Sequence, residues 1–472
     1  MTIEQIMLLT ETPQQMISEL KKGRDVEQPD IKKFSDAINP KKHLVFDLTE
    51  RPDKLIKEEG DRTRVEKVAR IALALQKLII KRSAAFLFGN PVELVLKSKE
   101  ESHKVLYEAI INMHEDVKIN SLNRKVAKAI FSCTEVAELW YPVPLMDGEE
   151  KLYGIDSDFK LRMKILNPIK GEALFPYFDD YGDMIAFSRE YSINKGGKKV
   201  TCFETYTDKL IYKYDTSEGT PVIEQGFPKV NPINKIPIVY ARREQTEFED
   251  VQDMIERLEK LLSNFADTND YHGSPTIFIQ GKVLGFSKKG ESGKIIEGEK
   301  DSTAQYLSWQ NAPESVKLEI DTLLNLIHMI SQTPNISFEN VKGLGSAVSG
   351  KALKMMFLDA HLKVQDHMEV FDEYLQRRMS ILKAYVGAFA KNTGVKKDVS
   401  KVIIESVVTP YMIDDEADKL DIIMTATGNK PVLSQKTGVK MAGYSIDSDQ
   451  EYNQIMSEQE ASNSFDILPP AN

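Results

Sequence analysis

Residues 246–270 read TEFEDVQDMIERLEKLLSNFADTND, and this stretch decides the fold because the later elements of the chain are arranged around it. Thr246 and Glu249 have the spacing of a capping box, in which two side chains satisfy free N–H groups at the start of a helix. From Phe248 to Phe265 the apolar residues recur at steps of three and four, so they lie along one helical face. The stretch therefore predicts an amphipathic helix.

Two more helices follow from the same kind of pattern. Residues 313–334 read PESVKLEIDTLLNLIHMISQTP, with one proline suited to the first helical position and another after the last apolar residue. We expect this helix to pack antiparallel against the first. The apolar residues from Leu353 to Phe389 predict a third helix without proline, roughly 55 Å long at about 1.5 Å per residue.

The first of these helices is strongly acidic. Between Gln245 and Asp270 there are eight acids and two bases, a local balance of −6. One interpretation is a solvated outer face, as on many surface helices. The other is an acidic lining that symmetry repeats around a pore. The acids are Glu247, Glu249, Asp250, Asp253, Glu256, Glu259, Asp267 and Asp270, and the bases are Arg257 and Lys260.

Composition bounds the class of protein. A chain of 472 residues with 41% hydrophobic content is long enough for two or three core-bearing units. No apolar run approaches the length of a membrane span, and the N-terminus lacks a signal-peptide pattern, so we expect a soluble, unexported protein. Two cysteines, Cys133 and Cys202, favour a reducing compartment over a disulfide framework. The net charge of −10 argues against a large surface that grips nucleic acid.

The rest of the chain predicts a helix-rich α+β fold. Residues 1–60 are polar and read as an arm with short helices. Helical patterns follow from Arg64 to Ile79 and from His103 to Ile130. Between Leu161 and Tyr214 short β-rich runs alternate with turns such as Asp179–Gly182, which is typical of an antiparallel sheet rather than a doubly wound fold. Short helices are expected after Tyr411.

One string resembles a nucleotide-binding loop. Residues 345–352 read GSAVSGKA, which matches the phosphate-loop pattern up to Lys351 but has Ala352 where a magnesium-binding hydroxyl belongs. The residues before the string are polar and turn-rich, whereas a phosphate loop follows a buried strand. The alternative is a Gly/Ser loop that Ser349 caps into the long helix.

The titratable residues predict no catalytic or metal site. The seven histidines are dispersed, and the closest two, His361 and His367, point away from each other on one helix. Packing or surface roles are therefore expected for them. The acids are abundant, but none stands in a reaction motif. No cofactor is predicted.

Four stretches carry a resemblance to a known family. They are Phe86–Pro91, Phe175–Tyr191, Ile236–Tyr240 and Ser349–Lys354. In this order and spacing the chain, from about Arg64 to Glu460, resembles the siphophage type of portal protein, the head-to-tail connector of tailed bacteriophages.

The resemblance implies a portal-like architecture. It consists of an α/β wing, an antiparallel two-helix stem, a small α/β clip, a long wing helix and a helical crown. The implied parts are the arm (1–60), the wing (61–244), the first stem helix (245–270), the clip (271–312), the second stem helix (313–334), the tunnel loop (335–350), the long wing helix with its closing strand (351–410), and the crown with a polar tail (411–472).

The same resemblance implies roles for particular residues. The tunnel loop at the channel constriction would include Asn340, Val341, Lys342, Gly343, Leu344, Gly345 and Ser346. The acidic stem would present Glu249, Asp250, Asp253, Glu256 and Glu259 to the duplex path. The clip would present Lys282, Lys288, Lys289, Lys294 and Trp309.

The implied function is non-enzymatic. Portal proteins form a dodecameric ring in the virion through which the terminase packages double-stranded DNA and from which the genome is later ejected. The implied partners are other copies of the chain, the terminase large subunit, major capsid and scaffolding proteins, and head-completion proteins; no membrane is involved, and synthesis is expected in the bacterial cytoplasm. The rival interpretations are a capsid scaffold protein without a channel and the phosphate-loop NTPase.

Overall fold

The structure is a computed structural model that describes most of the chain. It leaves out residues 1, 2, 9–11, 25, 58–61, 147–151, 273–275, 282, 287–295, 299–302, 308–311, 336–354, 356, 392–395, 397, 398, 412–415, 429, 430, 446 and 466–472. The chain divides into two compact units. The larger comprises residues 1–334 and 359–411, and the smaller comprises residues 335–358 and 412–472.

Helices and strands both occur in the larger unit, as the α+β prediction requires. Its helices are α1 (Ile3–Met7), α2 (Pro13–Lys22), α3 (Ile31–Ile38), α4 (Leu75–Phe88), α5 (Glu101–Asp116), α6 (Ile119–Cys133), α7 (Gln252–His272), α8 (Ala312–Ile330) and, apart from its first residue, α9 (Leu358–Phe389). Its strands are β1 (Lys54–Lys57), β2 (Thr63–Glu66), β3 (Glu93–Leu96), β4 (Glu135–Pro144), β5 (Phe159–Leu166), β6 (Ala173–Phe178), β7 (Met184–Lys195), β8 (Lys198–Tyr206), β9 (Leu210–Asp215), β10 (Val222–Ile223), β11 (Lys229–Val230), β12 (Ile238–Arg242), β13 (Thr276–Gln280), β14 (Val283–Phe286), β15 (Ile296–Gly298), β16 (Thr303–Leu307) and β17 (Ile404–Val407).

One antiparallel sheet of the larger unit has six strands. Strands β6 to β10 follow one another in spatial order, and β11 also pairs with β9. Neighbouring residues of a strand point to opposite faces, so Leu174 and Phe187 pack on β4, β5 and β12, while Phe175 and Ala186 pack on α1 and α2. The sheet is therefore covered on one face by a second, three-stranded sheet and on the other by the arm.

The turn predicted at residues 179–182 is present between β6 and β7. The carboxylate of Asp179 accepts hydrogen bonds from the backbone N–H groups of Tyr181, at 3.0 Å, and Asp183, at 2.9 Å. Gly182 has a φ of 87°, a left-handed conformation that glycine adopts without steric cost. The two predicted strands on either side therefore pair as a hairpin.

Two helix predictions are wrong in their bounds. The helix predicted from Arg64 begins only at Leu75, because residues 63–66 form β2 and residues 67–74 form neither helix nor strand, with amide groups that bond to side chains of α7. The helix predicted from His103 to Ile130 is two helices. Lys118 has a φ of 56°, and this left-handed residue separates α5 from α6.

The long helix α9 is confirmed over 32 residues, and 12 of them are buried. Its Arg378 side chain is 1% exposed and donates two hydrogen bonds, each 2.8 Å long, to the two oxygens of Glu138 on β4. A third bond of 2.7 Å reaches Asn123 on α6. Trp140 donates to the same carboxylate at 2.9 Å. This buried ion pair, with each donor matched to an acceptor, ties α9 to the sheet and to α6.

In the smaller unit the described elements are the helices α10 (Glu416–Thr427), α11 (Gln435–Ala442) and α12 (Ser448–Phe465). They lie where short helices are predicted. The Ser434 hydroxyl caps α11 by accepting from the Thr437 N–H at 3.2 Å. Across the whole described chain, no helix combines the length and apolar character that a bilayer span requires.

Substitution of Arg378 by methionine should lower the free energy of unfolding by about 3–5 kcal/mol, because it leaves the Glu138 carboxylate buried without its cation. The double variant E138Q/R378M should lose less free energy of unfolding than R378M alone. Arg257→Met, in an ion pair whose side chains are 52% and 40% exposed, is the matched control and should cost about 0–1 kcal/mol. Thermal and denaturant unfolding of the purified proteins measures all three.

Candidate channel stem and its junctions

The helices α7 and α8 form the predicted helix pair. They pack against each other, and Arg257 of α7 donates to Glu319 of α8 at 2.9 and 2.6 Å. The chain leaves α7 through β13 and returns to α8 through β16, and these strands pair antiparallel. The end of α7 and the start of α8 therefore lie side by side. The described strands β13 to β16 come between the two helices in the sequence.

Half of the acids predicted to make this region acidic are engaged within the same chain. Each of the four bonds a basic side chain outside α7. The pairs are Glu247 with Lys363 at 2.6 Å, Glu249 with Lys33 at 3.6 Å, Glu259 with His43 at 2.8 Å, and Asp267 with Arg51 at 2.5 Å.

The acids that remain at the surface are fewer than the sequence implies. Asp250, Asp253 and Asp270 are exposed, and Glu256 is half-buried and accepts from Gln252 at 2.7 Å. Against these four acids stands the exposed Lys260, while Arg257 is paired with Glu319 of α8, so by the same count the outward balance is −3 rather than −6. Of the five predicted stem acids, Glu259 is 1% exposed and does not contribute to an outward face.

A ladder of side-chain acceptors on α7 holds the extended segment, residues 67–74. Glu259, Ser263 and Asp267 follow one another at intervals of four residues and share one helical face. Their oxygens accept from the backbone N–H groups of Leu73 at 2.7 Å, Ile71 at 2.9 Å and Ala69 at 2.7 Å. The alternate amides of an extended chain therefore run along the helix, each paired with an acceptor.

The N-terminal arm completes this side of α7. His43 is 3% exposed at its side chain and bonds Glu259 through Nδ1 and the carbonyl of Ala37, at 2.9 Å, through Nε2. Arg51 donates to Asn264 at 2.6 Å and to Asp267 at 2.5 Å. The arm, whose place in the fold the sequence leaves open, is thus bound to the first stem helix.

A second polar cluster joins the stem helices to α9. The Glu247 carboxylate is fully buried just before α7 and accepts from Lys363 at 2.6 Å and from His367 at 3.1 Å, both on α9. Arg243 also donates to it. Lys363 donates in addition to the carbonyl of Ser331, directly after α8, at 2.6 Å. One lysine therefore connects the start of α7, the end of α8 and the long helix.

Electrostatics keep this carboxylate ionised. Burial by itself raises the pKa of Glu247, but the hydrogen bond from His367 and the charges of Lys363 and Arg243 outweigh it, so the pKa lies well below its usual range. Burial lowers the pKa of His367 despite the neighbouring carboxylate. A neutral imidazole that donates through Nε2 has a bare Nδ1, and this atom is buried without a hydrogen-bond partner among the described residues.

Most of the other predicted site residues lie outside the described part of the chain. This holds for the tunnel-loop residues 340–346, for the clip residues Lys282, Lys288, Lys289, Lys294 and Trp309, and for the phosphate-loop-like string at 345–352. Among the residues that the structure does describe, no group of three or more histidines, cysteines or acids is placed to hold a metal ion.

Sequence reasoning missed the partners of two histidines. His43 and His367 were assigned packing or surface roles, yet each is buried against a glutamate more than 100 residues away in the sequence. One local signal existed. Three polar residues at intervals of four, Glu259, Ser263 and Asp267, mark a second contact face on a helix already assigned an apolar one.

Comparison with known proteins places the chain in one family. The family model described as "Phage portal protein, SPP1 Gp6-like" matches residues 17–464. Two solved structures align with 78% of this chain and 88% of their own chains at 12% identity: one from the neck of an empty gene transfer agent (GTA) particle, with a TM-score of 0.43, and one from the virion of a native GTA particle, with a TM-score of 0.39. No curated protein gives a significant match.

Replacement of Glu259 by alanine should lower the free energy of unfolding by about 3 kcal/mol or more, since it removes the partner of the buried His43 and an acceptor for the Leu73 amide. Hydrogen exchange at Leu73 should accelerate. Asp253→Ala, an exposed acid on the same helix, should change stability by no more than about 0.5 kcal/mol. Equal losses in the two variants would show that the ladder contributes nothing.

Proposed function

Because the chain belongs to the SPP1 Gp6-like family of phage portal proteins, we propose that its copies form a ring-shaped channel at one vertex of a phage capsid. Double-stranded DNA enters through this channel when the terminase packages it and leaves through it at ejection. The tail connector docks on the same ring. The observation that carries the proposal is the family match, which extends over residues 17–464 and so includes the stem, clip and long-helix regions.

The proposal includes the subunit number and the partners of the ring. We expect twelve copies, as the portal resemblance implies. The clip region would meet the terminase large subunit and later the head-completion proteins, and the crown would face the interior of the head near major capsid and scaffolding proteins. The ring would belong to the virion after its synthesis in the bacterial host.

The stem is proposed to line or flank the path of the duplex. Asp253 and Glu256 on α7, and Asp250 in the short helical turn before it, keep carboxylates at or near the surface, and a ring repeats them around its axis. Negative potential along the wall repels phosphates, which favours passage of DNA over adhesion. With an outward balance of −3 per chain, this repulsion is weaker than the sequence count of −6 suggests.

The chain itself is proposed to catalyse no reaction, with ATP hydrolysis left to the terminase. A scaffold protein without a channel is the main alternative, and the phosphate-loop NTPase is the other. ATP turnover by the purified protein would support the NTPase, and a closed ring with an open axis separates a portal from a scaffold.

Electron microscopy of the purified chain tests the ring directly. End-on views should show closed rings with a central hole wide enough for duplex DNA, and the subunit number can be counted in class averages. Filaments, or solid particles without a hole, would contradict the proposal and favour the scaffold alternative.

The double charge reversal D253K/E256K should reduce DNA packaging several-fold, because lysines on the stem attract the phosphates that must slide past it. An in vitro packaging reaction with procapsids that carry the variant measures the protected DNA. Glu218→Lys, an exposed acid in a loop of the wing region, is the control for the added charge. Unchanged packaging by D253K/E256K would rule out an electrostatic role for these acids.

A further inference from the structure

The outer face of α8 is exposed along its length. Residues at intervals of three and four share this face, and together they form what we call the α8 patch: Glu314, Leu318, Asp321, Asn325 and Met329. Leu318 is 68% exposed and Met329 is 61% exposed. Among the α8 side chains that the structure describes, Ile327 alone is buried. Within the described part of the chain, this side of α8 is therefore left uncovered.

The arm carries a second exposed apolar surface. We define the arm patch as Lys41, Lys42, Leu44, Phe46 and Leu48. Leu44, Phe46 and Leu48 are 49%, 42% and 63% exposed, whereas the alternate residues His43 and Val45 are buried on the inner side. The short helix Leu44–Phe46 contacts α7, so the arm patch is the outer surface of the layer that covers α7.

The two patches lie on opposite sides of α7. The arm is bound to Glu259, and α8 is bound to Arg257 through Glu319. Residues two apart on a helix are separated by about 200° around its axis and by about 3 Å along it. Arm, α7 and α8 therefore form a stack of three layers, and the arm patch and the α8 patch are its outer surfaces at nearly the same level.

We infer that the arm patch of one copy packs against the α8 patch of the next copy in the ring; this inference rests on the ring assembly proposed above. The patches are unlike each other, so the contact is head-to-tail rather than two-fold symmetric. The two patches lie at a similar level along α7. A rotation about an axis parallel to the stem therefore brings the arm patch of one copy to the α8 patch of the next, without a translation along that axis. That geometry closes a ring instead of extending a filament.

Charge and burial favour a second copy as the occupant. Lys41 and Lys42 stand beside Leu44, and Glu314 and Asp321 flank Leu318, so the contact sets bases against acids around an apolar centre. Both apolar surfaces lose their exposure in one contact, and each copy supplies one surface of each kind. In the assembled ring the arm thus acts as an adaptor between neighbouring stems.

Thiol cross-linking tests the contact. The variant L44C/L318C, treated with a short bismaleimide, should give a ladder of covalent oligomers on a denaturing gel, because the two sites are on opposite sides of α7 within one chain. L44C and L318C alone should give no species beyond dimers. Cys133 and Cys202 are buried, which keeps the native thiols out of the reaction.

A second variant tests the energetics. Leu318→Asp should reduce the fraction of chains in rings by about tenfold or more at a fixed concentration, measured by native mass spectrometry. Val230→Asp, at a side chain that is 76% exposed on β11, should assemble as the wild type does.

The outcomes separate the two proposals. If the wild type forms rings but L44C/L318C gives no ladder, the contact is overturned and the portal proposal stands. The same holds if Leu318→Asp leaves the rings intact. Absence of closed rings from the wild-type protein would overturn the portal proposal. Tight binding of a different phage protein to the α8 patch of intact rings would also contradict the contact, since the patch would then be open in the ring.

Discussion

Backbone N–H groups of the extended segment need acceptors, and α7 supplies them. Ala69, Ile71 and Leu73 donate these groups to side chains of the helix, and no strand in the described part of the chain pairs with this segment. Carboxylate and hydroxyl oxygens spaced by four residues take that place. A helical conformation of this segment would withdraw the donors and leave Glu259 buried with His43 as its partner alone. The constraint joins the arm, the extended segment and α7 into one packed assembly, on which both the exposed charge of α7 and the outer apolar surface of the arm depend.

The junction at Glu247 connects this assembly of arm, extended segment and α7 to the rest of the larger unit. Buried ion pairs contribute little net stability, because the loss of hydration offsets the attraction, but they penalise any geometry in which a partner is missing. Lys363 reaches both Glu247 and the carbonyl of Ser331, so it fixes the start of α7 and the end of α8 against α9. A shift of the stem relative to the long helix would leave at least one buried charge unpaired. The junction therefore holds α7 and α8 in one position against α9.

Local sequence patterns predicted the helices and strands, and contacts between residues far apart in the sequence decided where these begin and end. Apolar periodicity identified α7, α8 and α9, and β-rich runs with turn residues identified the sheet, because these signals lie within single elements. The prediction of a helix from Arg64 was wrong. The apolar spacing there fits a helix, but the backbone amides bond acceptors that lie nearly 200 residues later in the sequence. Likewise the pairing of Arg378 with Glu138, or of His43 with Glu259, joins residues more than 200 positions apart, and no local pattern specifies it.

The acidic stem shows why charge counted along a sequence differs from charge presented by a surface. The eight acids between Gln245 and Asp270 share one segment, but a helix distributes them around its axis, and four of them face other elements of the same chain. Those four acids bond side chains of other elements and so hold these elements together. The charge that a surface presents depends on the acids left at that surface, which are Asp250, Asp253, Glu256 and Asp270, with the exposed Arg257 and Lys260 among them. A charge count along the sequence therefore overstates the acidity of this face of the molecule.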